Sequence, residues 1–329
     1  MGCADATSLV RSSSQRAPVR SGAMTYSIVA RDPATGDFGV AAQSHWFNLG
    51  PVVAWVRYDV GAVATQASAD PSYGWRGLAM MAAGDDPQDA LREISRDDEG
   101  AEARQVAMLD ASGRIAVRTG ERCIAYAGHV SGDGWSVQGN LLTSPAVIEA
   151  MAAAYEASEG VLAERMLTAL DAAEAAGGDL RGSQSAALRV VPGSQRPEDR
   201  FRLGIDLRVA DHPDPLTELR RLTVVDQAYR ELDSADDAAE AGQSEAAIQH
   251  FETAVQLSHE PELGFWHAIG LAQLDRFDDA LEMFDEVVDG RPEFVEMLNR
   301  VAIVDPTADR LRRARTPQQR PGVGPPGGR

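Results

Sequence analysis

Apolar and polar positions alternate in two short runs, Tyr26–Ala30 and Phe38–Ala42, on either side of Asp32-Pro33-Ala34-Thr35-Gly36-Asp37. Alternation with period two predicts strands, and Pro, Gly and Asp at the break favour a tight reversal, so the pair is expected to form a β-hairpin. Val52–Val56 and Gly61–Gln66 are dominated by apolar and small residues, the pattern of strands covered on both faces. Gln105–Leu109 and Arg114–Arg118 predict a second hairpin around Asp110-Ala111-Ser112-Gly113. Trp135–Leu142, Ala186–Val191 and Phe201–Val209 also read as strands, and Gly128–Gly134 as a polar loop.

Helical periodicity takes over in between. Trp75–Ala83 is expected to be a helix closed by Gly84. Asp86 should cap the next helix with Pro87 in its first position, which puts Ala90, Leu91 and Ile94 on one face. Helices are expected from Ser144-Pro145 to about Ser158 and over Val161–Ala176, the latter stopped by Gly177-Gly178. A block of strands, two helices and further strands suit antiparallel sheets faced by helices rather than a doubly wound parallel sheet, so the fold class is α+β.

After Asp211-His212-Pro213-Asp214-Pro215, which reads as a linker, the pattern is wholly helical. Ala247, Phe251 and Ala254 recur as Ala280, Phe284 and Val287, a spacing of 33 residues. That period is close to the 34-residue tetratricopeptide repeat. The chain thus divides into a polar leader (1–23), an α+β domain (24–212), a helical repeat domain (216–303) and a tail (304–329) whose Arg, Pro, Gln and Gly content predicts disorder.

Charge removes several functions. The formal net charge is −19, which argues against nucleic acid as a partner. Residues 215–303 carry 20 acids and 6 arginines, a net of −14, expected to form a solvated face. All 31 basic residues are arginine, so a Schiff-base lysine is excluded. Nowhere do 18 apolar residues run together, so no membrane span is expected. The leader lacks the apolar stretch of a signal peptide, and Cys3 and Cys123 sit in unrelated contexts, both consistent with the cytoplasm. The six histidines, at 45, 129, 212, 250, 259 and 267, show no HExxH or comparable spacing, and no glycine-rich phosphate loop occurs. No metal or cofactor is expected.

The candidate chemistry gathers on Thr25, which follows Met24 at the head of the first strand. A threonine with a free α-amine carries nucleophile and base on adjacent atoms, because that amine titrates at about 7.7–8.0. Translation from Met24 with ordinary removal of the methionine would free it, as would autocleavage between Met24 and Thr25; the third reading is a Thr25 without a catalytic role. Thr25 Oγ would attack an amide carbonyl, the amine would pass the proton to the leaving nitrogen, and water would resolve the acyl-enzyme. Gly139 N–H and the Asn140 amide are the expected oxyanion donors. Ser44 and His45 end the second strand near Thr25, where Ser44 could orient the amine and His45 could tune it or touch substrate. Gln66 could face the same cleft. Asp32 is a turn former or a pocket residue, and the Asp179–Arg181 pair a carboxylate clamp or a structural ion pair.

Four segments in order, MTYSIVARDPATGDFGVAAQSHWFNLG, GAVATQASADPSYGWRGLAMMAAG, SVQGN and GGDLRGSQSAALRVV, resemble the bacterial family labelled domain of unknown function 1028. The resemblance covers roughly Met24 to His212. It implies a four-layer αββα sandwich of the N-terminal-nucleophile (Ntn) hydrolase type with a threonine nucleophile, and no settled substrate. The helical region loosely resembles a module of some relatives proposed to bind peptidoglycan. Two functions follow as expectations. One is hydrolysis of a small-molecule or peptide amide. The other is a catalytically silent sandwich whose helical repeats bind a peptide or cell-wall ligand. Apolar repeat faces point to a homodimer.

Overall fold

The computed structural model describes residues 25–193 and 204–315, so the expectations for the leader, for residues 201–203 and for residues 316–329 lie outside the described residues. The chain divides into two compact units, Met1–Leu219 and Arg220–Arg329.

In the first unit the expected hairpin forms as β1 (Thr25–Arg31) and β2 (Phe38–Ser44), antiparallel with Thr25 opposite Ser44 and Arg31 opposite Phe38. The turn is built as its residues suggest. Asp32 Oδ1 accepts from the amides of Ala34 and Thr35, and Gly36 takes φ +80°. A short helix α1 (Gly50–Val53) leads into β3 (Ala54–Arg57), followed by β4 (Gly61–Ala67). The strand expected at Val52 therefore starts two residues later, its first turn having been taken by a helix with Pro51 in its opening turn. Helices α2 (Ser72–Ala82) and α3 (Pro87–Arg96) come next, and Asp86 caps α3 by accepting from the Gln88 amide. Strands β5 (Arg104–Asp110) and β6 (Ile115–Thr119) form the second hairpin.

Gly128–Gly134, expected as a loop, supplies instead the strand β7 (Gly128–Gly132), which pairs with β8 (Trp135–Gly139). Polar, glycine-rich sequence hides a strand here because β7 is a sheet edge with exposed side chains, and the neighbouring backbone rather than an apolar face holds it. Helices α4 (Ala146–Ala157) and α5 (Leu162–Ala175) precede β9 (Ser185–Val191) and β10 (Ile205–Val209).

The ten strands of the described residues make two antiparallel sheets, one of order β10-β9-β2-β1-β8-β7 and one of order β3-β4-β5-β6. Helices α4 and α5 pack on the six-stranded sheet and α2 and α3 on the four-stranded sheet. The sheets meet through β1, β2, β4 and β5. Small side chains fill much of the space between them, with Ala42, Ala62, Ala64, Ala107 and Ala187 packed around Val29, Val40, Phe38 and Leu109. Burial of this kind contributes about 25 cal/mol per Å² of apolar surface. Gly39 allows β2 and β9 their close approach, since a Cβ there would fall 2.2 Å from the Arg189 carbonyl oxygen.

Helix α6 (Pro215–Glu240) starts within the last residues of the first unit, and from Arg220 on the regular elements are all helical: the rest of α6, then α7 (Ser244–Leu257), α8 (Pro261–Gln273), α9 (Phe277–Val288), α10 (Glu293–Val301) and α11 (Pro306–Arg315). The 33-residue spacing is written into the backbone. Gly242 (φ +72°) and Gln243 (φ −92°, ψ 64°) lead into α7, as Asp275 (φ +60°) and Arg276 (φ −90°, ψ 62°) lead into α9. Ala247, Phe251 and Ala254 are buried, as are Ala280, Phe284 and Val287. The tail expected to be disordered from Pro306 instead begins with α11. Asp305 Oδ1 caps it by accepting from Thr307 and Ala308, and Ala308 and Leu311 are buried in the helical core. Two apolar residues at helical spacing outweigh the arginine-rich composition. Among the described residues no helix is long and apolar enough to cross a membrane.

Candidate functional site

Alternation along β1 divides its side chains between two environments. Tyr26, Ile28 and Ala30 share the parity that faces α5, where Tyr26 Oη donates to Glu174 at 2.6 Å. Burial, and then the Glu174 carboxylate, push the Tyr26 phenol well above its ordinary pKa. Thr25, Ser27 and Val29 share the opposite parity, toward the other sheet. Around Val29 the space between the sheets is apolar. Around Ser27 and Thr25 it is filled with amides.

These amides form a directional chain. Ser136 Oγ donates to Gln138 Oε1 at 3.0 Å, Gln138 Nε2 to Ser27 Oγ at 2.6 Å, and Ser27 Oγ to Gln66 Oε1 at 2.6 Å. Gln66 Nε2 then donates to Gln105 Oε1 at 2.8 Å, and Gln105 Nε2 to the carbonyls of Gly128 and Gly139, both at 2.9 Å. Every one of these side chains is fully buried. A satisfied polar network in a low-dielectric interior is stiff, and the two sheets are pinned to each other through it.

The network converges on the head of β1. The backbone carbonyl of Thr25 accepts from Asn140 N at 3.1 Å, Asn140 Nδ2 at 3.3 Å and Gln66 Nε2 at 3.2 Å. Asn140 Nδ2 also donates to Gln105 Oε1 at 2.9 Å. Two bearers of these donors are followed by non-glycine residues in the left-handed region, Leu141 (φ +51°) after Asn140 and Ala67 (φ +66°) after Gln66. Such conformations cost about 1–3 kcal/mol each and collect at functional sites.

The chain segments bordering Thr25 are tied to one another. Ser44 lies opposite Thr25 in the register, and Ser185 opposite Ser44. The Ser44 carbonyl accepts from Gln184 N. Asp179 is buried and accepts from His45 N at 3.3 Å, and from Arg181 N, Nε and Nη2 at 2.9, 3.0 and 2.7 Å. Leu180 N donates to the Leu141 carbonyl, so the same loop buttresses the residue after Asn140.

The structure thus brings Thr25, Ser44, His45, Gln66, Gly139, Asn140, Asp179 and Arg181 to one end of the six-stranded sheet. It does not bring Asp32 there. Asp32 lies beyond the far end of β1, seven residues on, about 23 Å at ordinary strand rise. Its carboxylate serves the turn, which is the structural one of its two readings. Arg181 is committed to Asp179, so the pair acts first as an ion pair that shapes its loop. Asn140 differs from expectation in a specific way, because its backbone N–H and its Nδ2 both face Thr25's own carbonyl rather than a vacant oxyanion position. Thr25 is fully buried in the chain that continues upstream to Met24. A cavity of about 490 Å³ between α3 and β6, lined in part by Arg92, Asp98, Glu102 and Arg118, shares no residue with this constellation.

Ser27, Gln105 and Ser136 were not singled out by sequence reasoning. A signal existed for Ser136. Ser136 and Gln138 in β8, and Asn140 just after it, fall at every second position and alternate with Trp135, Val137 and Gly139, a polar stripe on one face. Gln105 binds partners on other strands, 14 to 39 residues away, and gave no local sign.

The arrangement defines a mixed α/β protein whose two antiparallel sheets are joined by a buried amide network at the head of one strand. The family model described as "Family of unknown function (DUF1028)" matches residues 25–219, and the chain belongs to that family. Among solved structures, it is similar to the protein SPO2555 from Silicibacter pomeroyi, itself assigned to DUF1028, at 33% identity and a TM-score of 0.55 over 61% of this chain and 88% of that one. A weaker likeness is to Anbu, an ancestral β-subunit from Yersinia bercovieri, at 13% identity and a TM-score of 0.30 over 60% and 92% of the two chains, too distant to carry an argument. No curated protein matches.

Proposed function

We propose that this protein hydrolyses an amide bond with Thr25 as nucleophile and its own α-amine as general base, on a four-layer αββα sandwich of the Ntn type. The observation that carries the reading is the convergence of three donors from Asn140 and Gln66 on the carbonyl of the residue that would attack. A structural threonine at the start of a strand has no need of a buried amide network that fixes it from two sheets. The layering is supported by helix pairs on the outer side of each sheet. Ser44 and His45 line the same strand end and would contact the amine or the substrate. The mechanism requires a free nitrogen on Thr25, hence loss of everything up to Met24.

Native protein examined by N-terminal sequencing, and then exposed to an electrophile directed at terminal threonine, tests this. The expected result is a chain beginning at Thr25 that gains one adduct, and a Thr25→Ala protein that gains none and hydrolyses no amide in a screen of amide classes. An intact leader on fully active protein would refute it.

The helical unit favours a second, compatible role. Its repeated entry geometry at Gly242 and Asp275 supports a tetratricopeptide-like reading, with two hairpins offering a face for a peptide or cell-wall ligand. Capture of such a ligand by Thr25→Ala protein as strongly as by the unaltered chain would show binding independent of catalysis.

A further inference from the structure

The Thr25 constellation contains one polar atom without a partner. Asn140 is fully buried, and its Oδ1 accepts no hydrogen bond. Exchanging the oxygen and nitrogen of the amide, the usual remedy, is closed here. Nδ2 faces the Thr25 carbonyl at 3.3 Å and Gln105 Oε1 at 2.9 Å. The first is a backbone carbonyl and can only accept. The second is held as an acceptor because Gln105 Nε2 is turned onto the carbonyls of Gly128 and Gly139. The backbone therefore dictates the orientation of both amides, and Oδ1 is left bare by the same hydrogen bonds that fix it. Buried acceptors are rarely left so, since burial without a donor costs free energy.

The strand register points to a donor for Oδ1. On an extended strand, a residue's N–H and C=O point toward the same neighbour. The Thr25 carbonyl is bonded by Asn140 N in the antiparallel register of β1 and β8, so the Thr25 α-nitrogen also lies on the Asn140 side of β1, with its peptide hydrogen toward the Asn140 main-chain carbonyl, and only the further hydrogens of a freed amine are left for Oδ1. In the peptide linked to Met24 that nitrogen has one hydrogen. Freed, it has two as an amine and three as an ammonium. We infer that Asn140 Oδ1 is the seat of the liberated Thr25 α-amine, which makes Asn140 a positioning residue for the general base. The inference rests on the reading of Thr25 as a free-amine nucleophile. Held by Oδ1, the amine is fixed about its N–Cα bond, and its charged form is favoured over its neutral form.

The test measures the amine itself and needs no substrate. A full-length chain carrying an enteropeptidase site immediately before Thr25 is folded and then cut, so that Thr25 becomes terminal. Periodate oxidises a terminal threonine through its neutral 1,2-amino alcohol, and the rate against pH, followed by mass spectrometry, reports the amine's pKa. Asn140→Leu is expected to lower the midpoint by about one pH unit, the scale of one hydrogen bond to a charged group. Asn140→Asp, with oxygens only and a negative charge, is expected to raise it. Gln66→Met removes a different donor from the same carbonyl but keeps Oδ1, and should leave the midpoint within about 0.3 units. An unchanged midpoint in Asn140→Leu, or an equal fall in Gln66→Met, overturns the inference. If the leucine variant does not fold, the direction of the aspartate shift decides. A protein with the expected midpoints but no amidase activity would sink the catalytic reading and leave this inference standing.

Discussion

Replacing Gln105 by its isostere glutamate is expected to be worse than replacing it by methionine, an inversion of ordinary conservatism that the network demands. Gln105 Oε1 accepts from Gln66 and Asn140, while Nε2 donates to Thr119 Oγ1 and to the carbonyls of Gly128 and Gly139 at 2.9 Å each. Methionine keeps the volume and makes none of these bonds. It strands one hydrogen of Asn140 Nδ2 and removes one of three acceptors from Gln66 Nε2, while Thr119 Oγ1 keeps its bond with His129. With about 1–3 kcal/mol for each buried group left short, Gln105→Met should cost about 3 kcal/mol. Glutamate keeps both accepted bonds but places a second oxygen against two carbonyls, with only the Thr119 hydroxyl able to turn and donate to it. Its ionised form is repelled and desolvated, so its folded pKa is raised above the unfolded value of about 4.3. The destabilisation is then smallest below that value, where the acid can donate one proton to a carbonyl, and grows as pH rises through it. Denaturant unfolding of the full chain, followed by tryptophan fluorescence at pH 7 and pH 4.5, measures this. The glutamate protein should be about 2 kcal/mol less stable than the methionine protein at pH 7, with the gap closing at pH 4.5. A glutamate variant as stable as the methionine variant at pH 7 would show that the amide orientations are not the ones described.

Other expectations are as direct. Gln43 is fully enclosed on β2, with neither Nε2 nor Oε1 partnered, so Gln43→Met should raise stability by about 1–2 kcal/mol in the same assay, and a loss would reveal a bonded internal water. His267 is buried, has both ring nitrogens unpartnered, stacks on Phe251 at 5.3 Å, and has its pKa pushed down to about 4 by burial and by Arg276. A folded pKa below the unfolded 6.5 means that its stability contribution is complete above pH 6.5 and lost as pH falls toward 4, up to about 3 kcal/mol. The melting-temperature difference between His267→Leu and the unaltered chain should therefore widen in favour of leucine over that range, and a constant difference contradicts it. Asp179→Ala removes the acceptor that gathers Arg181 and His45 N, and hydrogen exchange should speed up in residues 178–184 while β4 and β5 stay protected.

Much of this protein was legible from local chemistry. The first hairpin, its Asp32 turn, the Asp86 cap and the 33-residue helical period all rest on interactions between residues close in sequence, and each appears where the residue types put it. Thr25, Asn140 and Gln66 could be suspected because polar residues on otherwise apolar strands stand out. Three things needed the folded chain. β7 is a strand only because β8 offers it a backbone to pair with, and α11 is a helix because Ala308 and Leu311 find the helical core. The bare Oδ1 of Asn140 is decided by the carbonyls of Gly128 and Gly139 acting through Gln105, from another sheet. Local sequence determines which groups a segment carries and how it turns. Only the meeting of distant strands determines which of those groups are satisfied, and in this protein one of the unsatisfied groups sits beside the candidate nucleophile.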